Sequence, residues 1–288
     1  MNLNISQVSE LIIDVAAREA LPRFQSLQDH EIMKKAAGDL VTVADLAVER
    51  QLTDRLQEML PGSLVVGEEV AEADPNLFKL FKQTPQPIWI IDPIDGTGNY
   101  ARGRPIFAVM VALCKGEEIL AGWIYDPINK VMAVAENGSG AYLDGQRCQV
   151  AEATSLAEMT GTLHASTFAA KALGARVDQN RHKVRALKSL SCAGHEYLRL
   201  LRGEMHFSLF SRCKPWDHAP GSLLHREAGG QSLLLRQDRR YQPSDYAEVG
   251  LLMAPDSGSW DEIKQDASCR DQPGNPRKPA GPASLLGD

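Results

Sequence analysis

Ile5, Val8, Ile12, Val15, Ala16 and Ala20 fall at offsets 0, 3, 7, 10, 11 and 15, one face of an amphipathic helix that Leu21-Pro22 ends. A second stripe, Ala44, Ala47, Val48, Leu52, Leu56 and Met59, predicts another helix stopping at Pro61-Gly62. From Leu64 the pattern changes to short apolar runs at Leu64–Gly67, Ile88–Ile91, Phe107–Leu113, Ile119–Tyr125 and Val131–Val134. Only Lys115-Gly116-Glu117-Glu118 and Asp126–Lys130 separate the last three, polar turns that suit antiparallel hairpins better than crossovers. The amino-terminal half is therefore expected to be helices on an antiparallel sheet.

Past Val150 the pattern predicts a strand over Thr160–His164, a polar helical stretch, a helix over Ala193–Leu201 and a strand over Met205–Phe210. A helix over Ala219–Ala228 closed by Gly229-Gly230, strands near Leu233–Leu235 and Leu251–Met253, and a short helix at Trp260–Ile263 follow. Arg270–Asp288 carries four prolines and three glycines. Residues 266–288 accordingly read as a disordered tail, and residues 1–265 as one domain with lobes over about 1–150 and 151–265.

Composition narrows the function classes. The 288 residues carry 31 Lys+Arg against 37 Asp+Glu, a net charge of −6, with 43% hydrophobic and 24% charged residues. This is the composition of a globular chain, with no electrostatic reason to seek nucleic acid or an anionic membrane as partner. The amino terminus lacks the charged and apolar regions of a secretory signal, and no apolar run is long enough to span a bilayer, so a cytoplasmic protein is expected. Five scattered cysteines, with no paired metal spacing, read as reduced thiols.

The chemistry lies in the carboxylates. The run Trp89-Ile90-Ile91-Asp92-Pro93-Ile94-Asp95-Gly96-Thr97 delivers two aspartates three residues apart into what Pro93 and Gly96 mark as a turn. Such crowding is self-repulsive unless a cation sits between them, and Mg²⁺ suits two Asp side chains and a backbone carbonyl such as that of Ile94. An ordinary Asp-Pro, Asp-Gly turn is the competing reading. Glu68 and Glu69 again end a short apolar strand, and Asp217 stands just ahead of an apolar helix, where a carboxylate also favours the helix dipole. Thr42 and Asp45 have capping-box spacing, so a capping role and a site role are both open for Asp45. Gly96-Thr97-Gly98-Asn99-Tyr100-Ala101 fits a dinucleotide-binding fingerprint, with Glu117 and Glu118 about 20 residues on. The aspartates beside it would repel a pyrophosphate, and the hairpins that follow do not make a βαβ unit.

These residues resemble, in order along nearly the whole globular chain, the magnesium-dependent and often lithium-sensitive phosphatases typified by inositol monophosphatase. The matching motifs are Asp39-Leu40-Val41-Thr42-Val43-Ala44-Asp45, Gly67-Glu68-Glu69, Trp89–Thr97, and Trp216-Asp217-His218-Ala219-Pro220-Gly221 with Glu227-Ala228-Gly229-Gly230. The resemblance implies an α/β fold, a layered αβαβα sandwich, and hydrolysis of a small phosphorylated metabolite by activated water. It implies that Glu68, Asp92 and the Ile94 carbonyl hold one Mg²⁺, that Asp92, Asp95 and Asp217 hold a second, and that a third leans on Glu68, with Glu69 and Lys34 nearby. Asp45 and Thr97 would orient and deprotonate the water, Gly96 and Thr97 amides would take the phosphate, and a homodimer is common in the family. His218 is expected at the rim or behind the ligands rather than among them. Two departures bear on the substrate: Gly98 stands where a second threonine is common, and Phe210 is nearest the acidic position of inositol-selective members. A 3′-phosphoadenosine 5′-phosphate phosphatase, with Arg212 and Lys214 greeting the second phosphate, a histidinol or sugar phosphate phosphatase, and a non-catalytic metal- or phosphate-binding relative are the alternatives.

Overall fold

The computed structural model describes residues 4–35, 39–164 and 171–267. Helix α1 (Ile5–Val15) is capped by the Asn4 side chain and buries Val8, Leu11, Ile12 and Val15. It runs on through a π-helical turn, Ala16–Ala20, to the proline. A hairpin of β1 (Ile32–Lys34) and β2 (Leu40–Thr42) leads into α2 (Val43–Met59). Strand β3 (Leu64–Gly67), the short helices α3 (Glu68–Ala73) and α4 (Leu80–Gln83), strand β4 (Pro87–Asp95) and helix α5 (Thr97–Ala101) follow.

A seven-stranded sheet runs β3-β4-β5-β6-β7-β8-β9 in sequence order, with β5 (Ala108–Lys115), β6 (Glu118–Asp126), β7 (Val131–Glu136), β8 (Gly140–Leu143) and β9 (Gln146–Arg147). The predicted hairpins are present, but β3 pairs parallel to β4, so the sheet is not wholly antiparallel. Parallel pairing needs a crossover, and α3 and α4 supply it. The second sheet, in the order β11-β10-β12-β14-β13, comprises β10 (Thr160–Leu163), β11 (Ala186–Leu187), β12 (Phe207–Phe210), β13 (Gln231–Leu234) and β14 (Leu251–Ala254). Helices α6 (Lys171–Asn180), α7 (Ala193–Leu201), α8 (Pro215–Glu227) and α9 (Ser257–Ala267) complete the chain. Helix α9 takes in two residues of the predicted tail, and the rest of that tail lies outside the described residues.

Three apolar cores stack these elements into five layers. Val8, Ile12, Val48 and Leu52 of the first two helices pack on Trp89, Ile91, Val109, Val111 and Trp123. The alternate residues Ile88, Ile90, Met110 and Ala112 point the other way, onto Tyr197, Leu198, Trp216 and Leu223. Strand β4 is apolar continuously because both its faces are covered. Beyond α7 and α8, the second sheet turns Phe207, Leu209 and Leu252 toward Val177, Trp260 and Ile263 of α6 and α9. The resulting order, helices, sheet, helices, sheet, helices, is the expected αβαβα sandwich.

The middle helices lie unusually close to their neighbours, and glycine is what lets them. A Cβ on Gly122 would stand 2.8 Å from Pro220 Cα, and one on Gly221 would stand 2.1–2.3 Å from ring carbons of Tyr197. Gly221→Ala is therefore expected to cost about 1–3 kcal/mol through overpacking. At about 2–4 °C per kcal/mol for a chain of this size, calorimetry should record a melting temperature lower by several degrees.

Candidate active site

The two aspartates of β4 share a face because the strand is irregular there. Asp92 pairs with Met110 and Asp95 with Ala108, three steps on one strand against two on the other. In a regular strand residues i and i+3 point to opposite faces, so the bulge is what turns both carboxylates the same way. Asp92 and Asp95 thus lie on a bulged strand end rather than in the turn the sequence suggested. The turn comes at Gly96, whose φ of +85° is left-handed and open to glycine without strain.

Asp217 reaches the same place from the first turn of α8, a helix that begins four residues before its predicted start. Single carboxylate oxygens of Asp92, Asp95 and Asp217 lie within 4.8 Å of one another. The cleft around them, about 330 Å³, is also lined by Glu68, Ile94, Gly96, Thr97 and Gly98. Asp92 is 1% exposed and its Oδ1 has no hydrogen-bond partner. A buried, unpartnered carboxylate oxygen among other carboxylates fits a hard cation and little else. Asp95 is held from the opposite side, its carboxylate accepting the Ala193 and Gly194 amides at 3.1 and 2.6 Å and the Cys192 thiol at 2.9 Å.

Burial and mutual repulsion raise the acids above the usual carboxylate range. Burial, then the charge of Glu68, pushes Asp92 well up. Burial pushes Asp217 up to about 7, with Asp95 adding to it. Burial raises Asp95 against the Cys192, Gly194 and Ala193 hydrogen bonds.

Asp45 caps α2 and also reaches the cleft residue Thr97. Its Oδ2 accepts the Thr42 amide at 2.8 Å and the Thr42 hydroxyl at 2.6 Å, closing the capping box of α2, while Oδ1 lies 3.1 Å from Thr97 Oγ1. Thr97 Oγ1 also lies 3.0 Å from the Ile94 carbonyl. Asp45 is fully buried, and burial raises its pKa against the threonine hydrogen bonds.

One predicted residue is corrected. Lys34, the last residue of β1, is exposed, and Lys35 occupies the place expected for it. Lys35 Nζ lies 2.9 Å from Glu68, 2.8 Å from Glu69 and 3.0 Å from Glu72. Burial works against the Lys35 ammonium, but the three carboxylates outweigh it and hold its pKa above the ordinary lysine value. Burial pushes Glu69 up to about 7 and Glu68 well above its usual range. Sequence reasoning missed Glu72, whose i+4 spacing from Glu68 was a usable signal once that segment is helical. It also missed Arg102, Cys192 and Glu49, whose carboxylate accepts the Glu69 and Val70 amides at 2.9 and 3.2 Å and so caps α3. His218 is behind the ligands as expected, held by the Tyr197 hydroxyl at 3.0 Å and the Arg212 carbonyl at 2.8 Å, with burial lowering its pKa to about 3. Antiparallel β5 and β6 after the glycine motif rule out the dinucleotide-binding βαβ unit.

A model of the inositol monophosphatase family matches residues 4–271. Inositol monophosphatase 1 of Solanum lycopersicum is 31% identical over 204 residues, 69% of this chain and 73% of that one. The chain belongs to the inositol monophosphatase family. A fructose-1,6-bisphosphatase/inositol-1-monophosphatase of Thermotoga maritima is 29% identical over 202 residues, 70% of this chain and 74% of the relative. Among solved structures, an IMPase from Thermotoga maritima superposes with a TM-score of 0.74 at 25% identity, covering 90% of this chain and 94% of that one. Like its family, this inositol monophosphatase relative is a metal-dependent phosphoric monoester hydrolase, and the acidic cluster is its candidate metal site. No described helix is long and apolar enough to cross a membrane.

Proposed function

We propose that the protein hydrolyses a small phosphate monoester with magnesium as its cation, and that Asp45 and Thr97 prepare the attacking water. The observation that carries this reading is the convergence of Asp92, Asp95 and Asp217 around the unpartnered Asp92 Oδ1, in the same cleft as Thr97. Glu68, Asp92 and the Ile94 carbonyl would hold one Mg²⁺, Asp92, Asp95 and Asp217 a second, and Glu68 would support a weaker third. Bound cations lower the pKa of water and neutralise charge spreading over the phosphoryl oxygens.

The chain does the rest. Thr97 Oγ1 donates to Asp45 Oδ1 and keeps its lone pairs for a water, so a proton leaving that water passes to Thr97 as the threonine proton passes to Asp45. The raised pKa of Asp45 makes it a willing acceptor. The amides opening α5, at Gly96 and Thr97, have no acceptor within the helix and would take the phosphate in the cleft these residues line.

Phe210 shapes the substrate. It stacks between His164 and Tyr197, at 5.5 and 5.2 Å, in the wall of a chamber of about 270 Å³ that shares Asp95 and Asp217 with the metal cleft. A phenyl ring offers polyol hydroxyls no acceptor, so inositol monophosphate is not the preferred substrate. Phe210→Glu is expected to raise kcat/KM for inositol monophosphate about tenfold relative to other monoesters, which paired rate measurements on both enzymes would check.

Arg212 and Lys214 on the cleft wall favour a second reading, a substrate with a further anionic group such as 3′-phosphoadenosine 5′-phosphate or a sugar bisphosphate. The test is phosphate release with Mg²⁺ from inositol, sugar, histidinol and nucleotide phosphates, with lithium as inhibitor. Turnover ranks the substrates; ligand binding in calorimetry with no turnover would identify a non-catalytic relative instead.

A further inference from the structure

Gly98, which departs from the family's common threonine, lies against a cation. A Cβ at position 98 would lie 3.1 Å from Arg102 Nη1, and that nitrogen donates to the Gly98 carbonyl at 2.7 Å. The guanidinium is thereby laid on the cleft wall, which Arg102 lines together with Gly96, Thr97 and Gly98. The other two basic residues of that wall have acidic partners: Arg212 lies 3.3 Å from Asp39 and Lys214 3.8 Å from Glu72. Among the described residues Arg102 has no such partner, although carboxylates dominate the cleft it lines.

We propose that Arg102 is a substrate-binding residue that contacts the phosphoryl group being transferred. The assignment rests on the phosphatase reading above. The guanidinium is anchored one residue beyond the amides assigned to the phosphate, and a planar fork of N–H donors matches phosphoryl oxygens in charge and geometry. Anchorage on Gly98 also separates Arg102 from Arg212 and Lys214, which come from the β12–α8 connection and suit a second anion on the leaving alcohol.

The test uses inorganic phosphate as probe, titrated calorimetrically into the full chain with Mg²⁺, beside hydrolysis of a monoester with an uncharged leaving group. Arg102→Gln should weaken phosphate about tenfold, or about 1.4 kcal/mol, and raise KM for the monoester, while Arg102→Lys should recover part of the loss. Because Arg102 is exposed, both variants should melt with the parent. Unchanged phosphate affinity in Arg102→Gln, or a loss confined to substrates carrying a second anion, would overturn the proposal. Parent protein that binds phosphate in an Arg102-dependent way without turnover would sink the phosphatase reading and, with it, the transferred group, leaving Arg102 as a phosphate-binding residue only. Turnover with Arg102-independent phosphate affinity would sink the Arg102 proposal alone, and a parent that neither binds phosphate nor turns over would sink both.

Discussion

Asp92→Asn should lose about 10³-fold or more in kcat/KM and, in the absence of metal, melt higher than the parent. The first effect follows from removing a ligand shared by both proposed cations, each of which is asked for several kcal/mol of charge stabilisation. The second follows from the metal-free cluster itself. Asp92 is buried, unpartnered at Oδ1, and repelled by Glu68, Asp95 and Asp217. Replacing that carboxylate by a neutral amide relieves a cost that the fold carries only for function.

The same cluster sets the pH dependence. A carboxyl whose folded pKa lies above its unfolded value takes up a proton more readily when folded. Its stabilisation is complete below the unfolded value near 4 and is lost as pH rises through the folded one, which for Asp217 is about 7. Metal-free parent protein should accordingly melt lower at pH 8 than at pH 5.5, and Mg²⁺ should recover the difference. Asp92→Asn should flatten the profile and raise stability at pH 8 by on the order of 2 kcal/mol. Scanning calorimetry of both proteins with a chelator and with Mg²⁺ checks all three points, and a metal-free variant melting below the parent at pH 8 would contradict the account.

Much of this site was legible because its acids occur where a fold has no use for them. Asp92 and Asp95 break an apolar segment, and the burial of that segment is what makes the acids costly; Asp217, at a helix start, was legible only by its motif. The bulge that turns Asp92 and Asp95 to one face leaves no mark in composition, because it depends on the pairing of β4 with β5. Which of two adjacent lysines meets Glu68 depends on one residue of register in the β1–β2 hairpin. Lys34 pairs with Leu40 at the strand end, and Lys35 follows it, its amide donating to the Asp39 carbonyl at 2.8 Å. Successive residues of a strand point to opposite sides, so an error of one position reverses the outcome. Arg102 was equally invisible, since its place on the cleft wall follows from a hydrogen bond to the Gly98 carbonyl rather than from any spacing of charges.

Asp45 offers the sharpest division between structure and chemistry. Asp45 is the third residue of α2, where it reaches back to the Thr42 cap, and an amide oxygen can still accept the Thr42 amide and hydroxyl, so Asp45→Asn should leave α2 and the melting temperature nearly unchanged. Asparagine cannot take up a proton as carboxylate does. If Thr97 relays a proton to Asp45, kcat should fall about 10²–10⁴-fold while the Mg²⁺ concentration for half-saturation stays where it was. The parent's rate should also decline on the acid side as Asp45, raised by burial, becomes protonated, and that limb should be absent from the residual rate of the variant. Thr97→Ser should keep the relay and Thr97→Val should lose it, since only the hydroxyl can accept from water and donate to Oδ1 at once. A variant Asp45→Asn that melts lower yet turns over at the parental rate would reduce Asp45 to its place in the capping box of α2 and move the base elsewhere in the cleft.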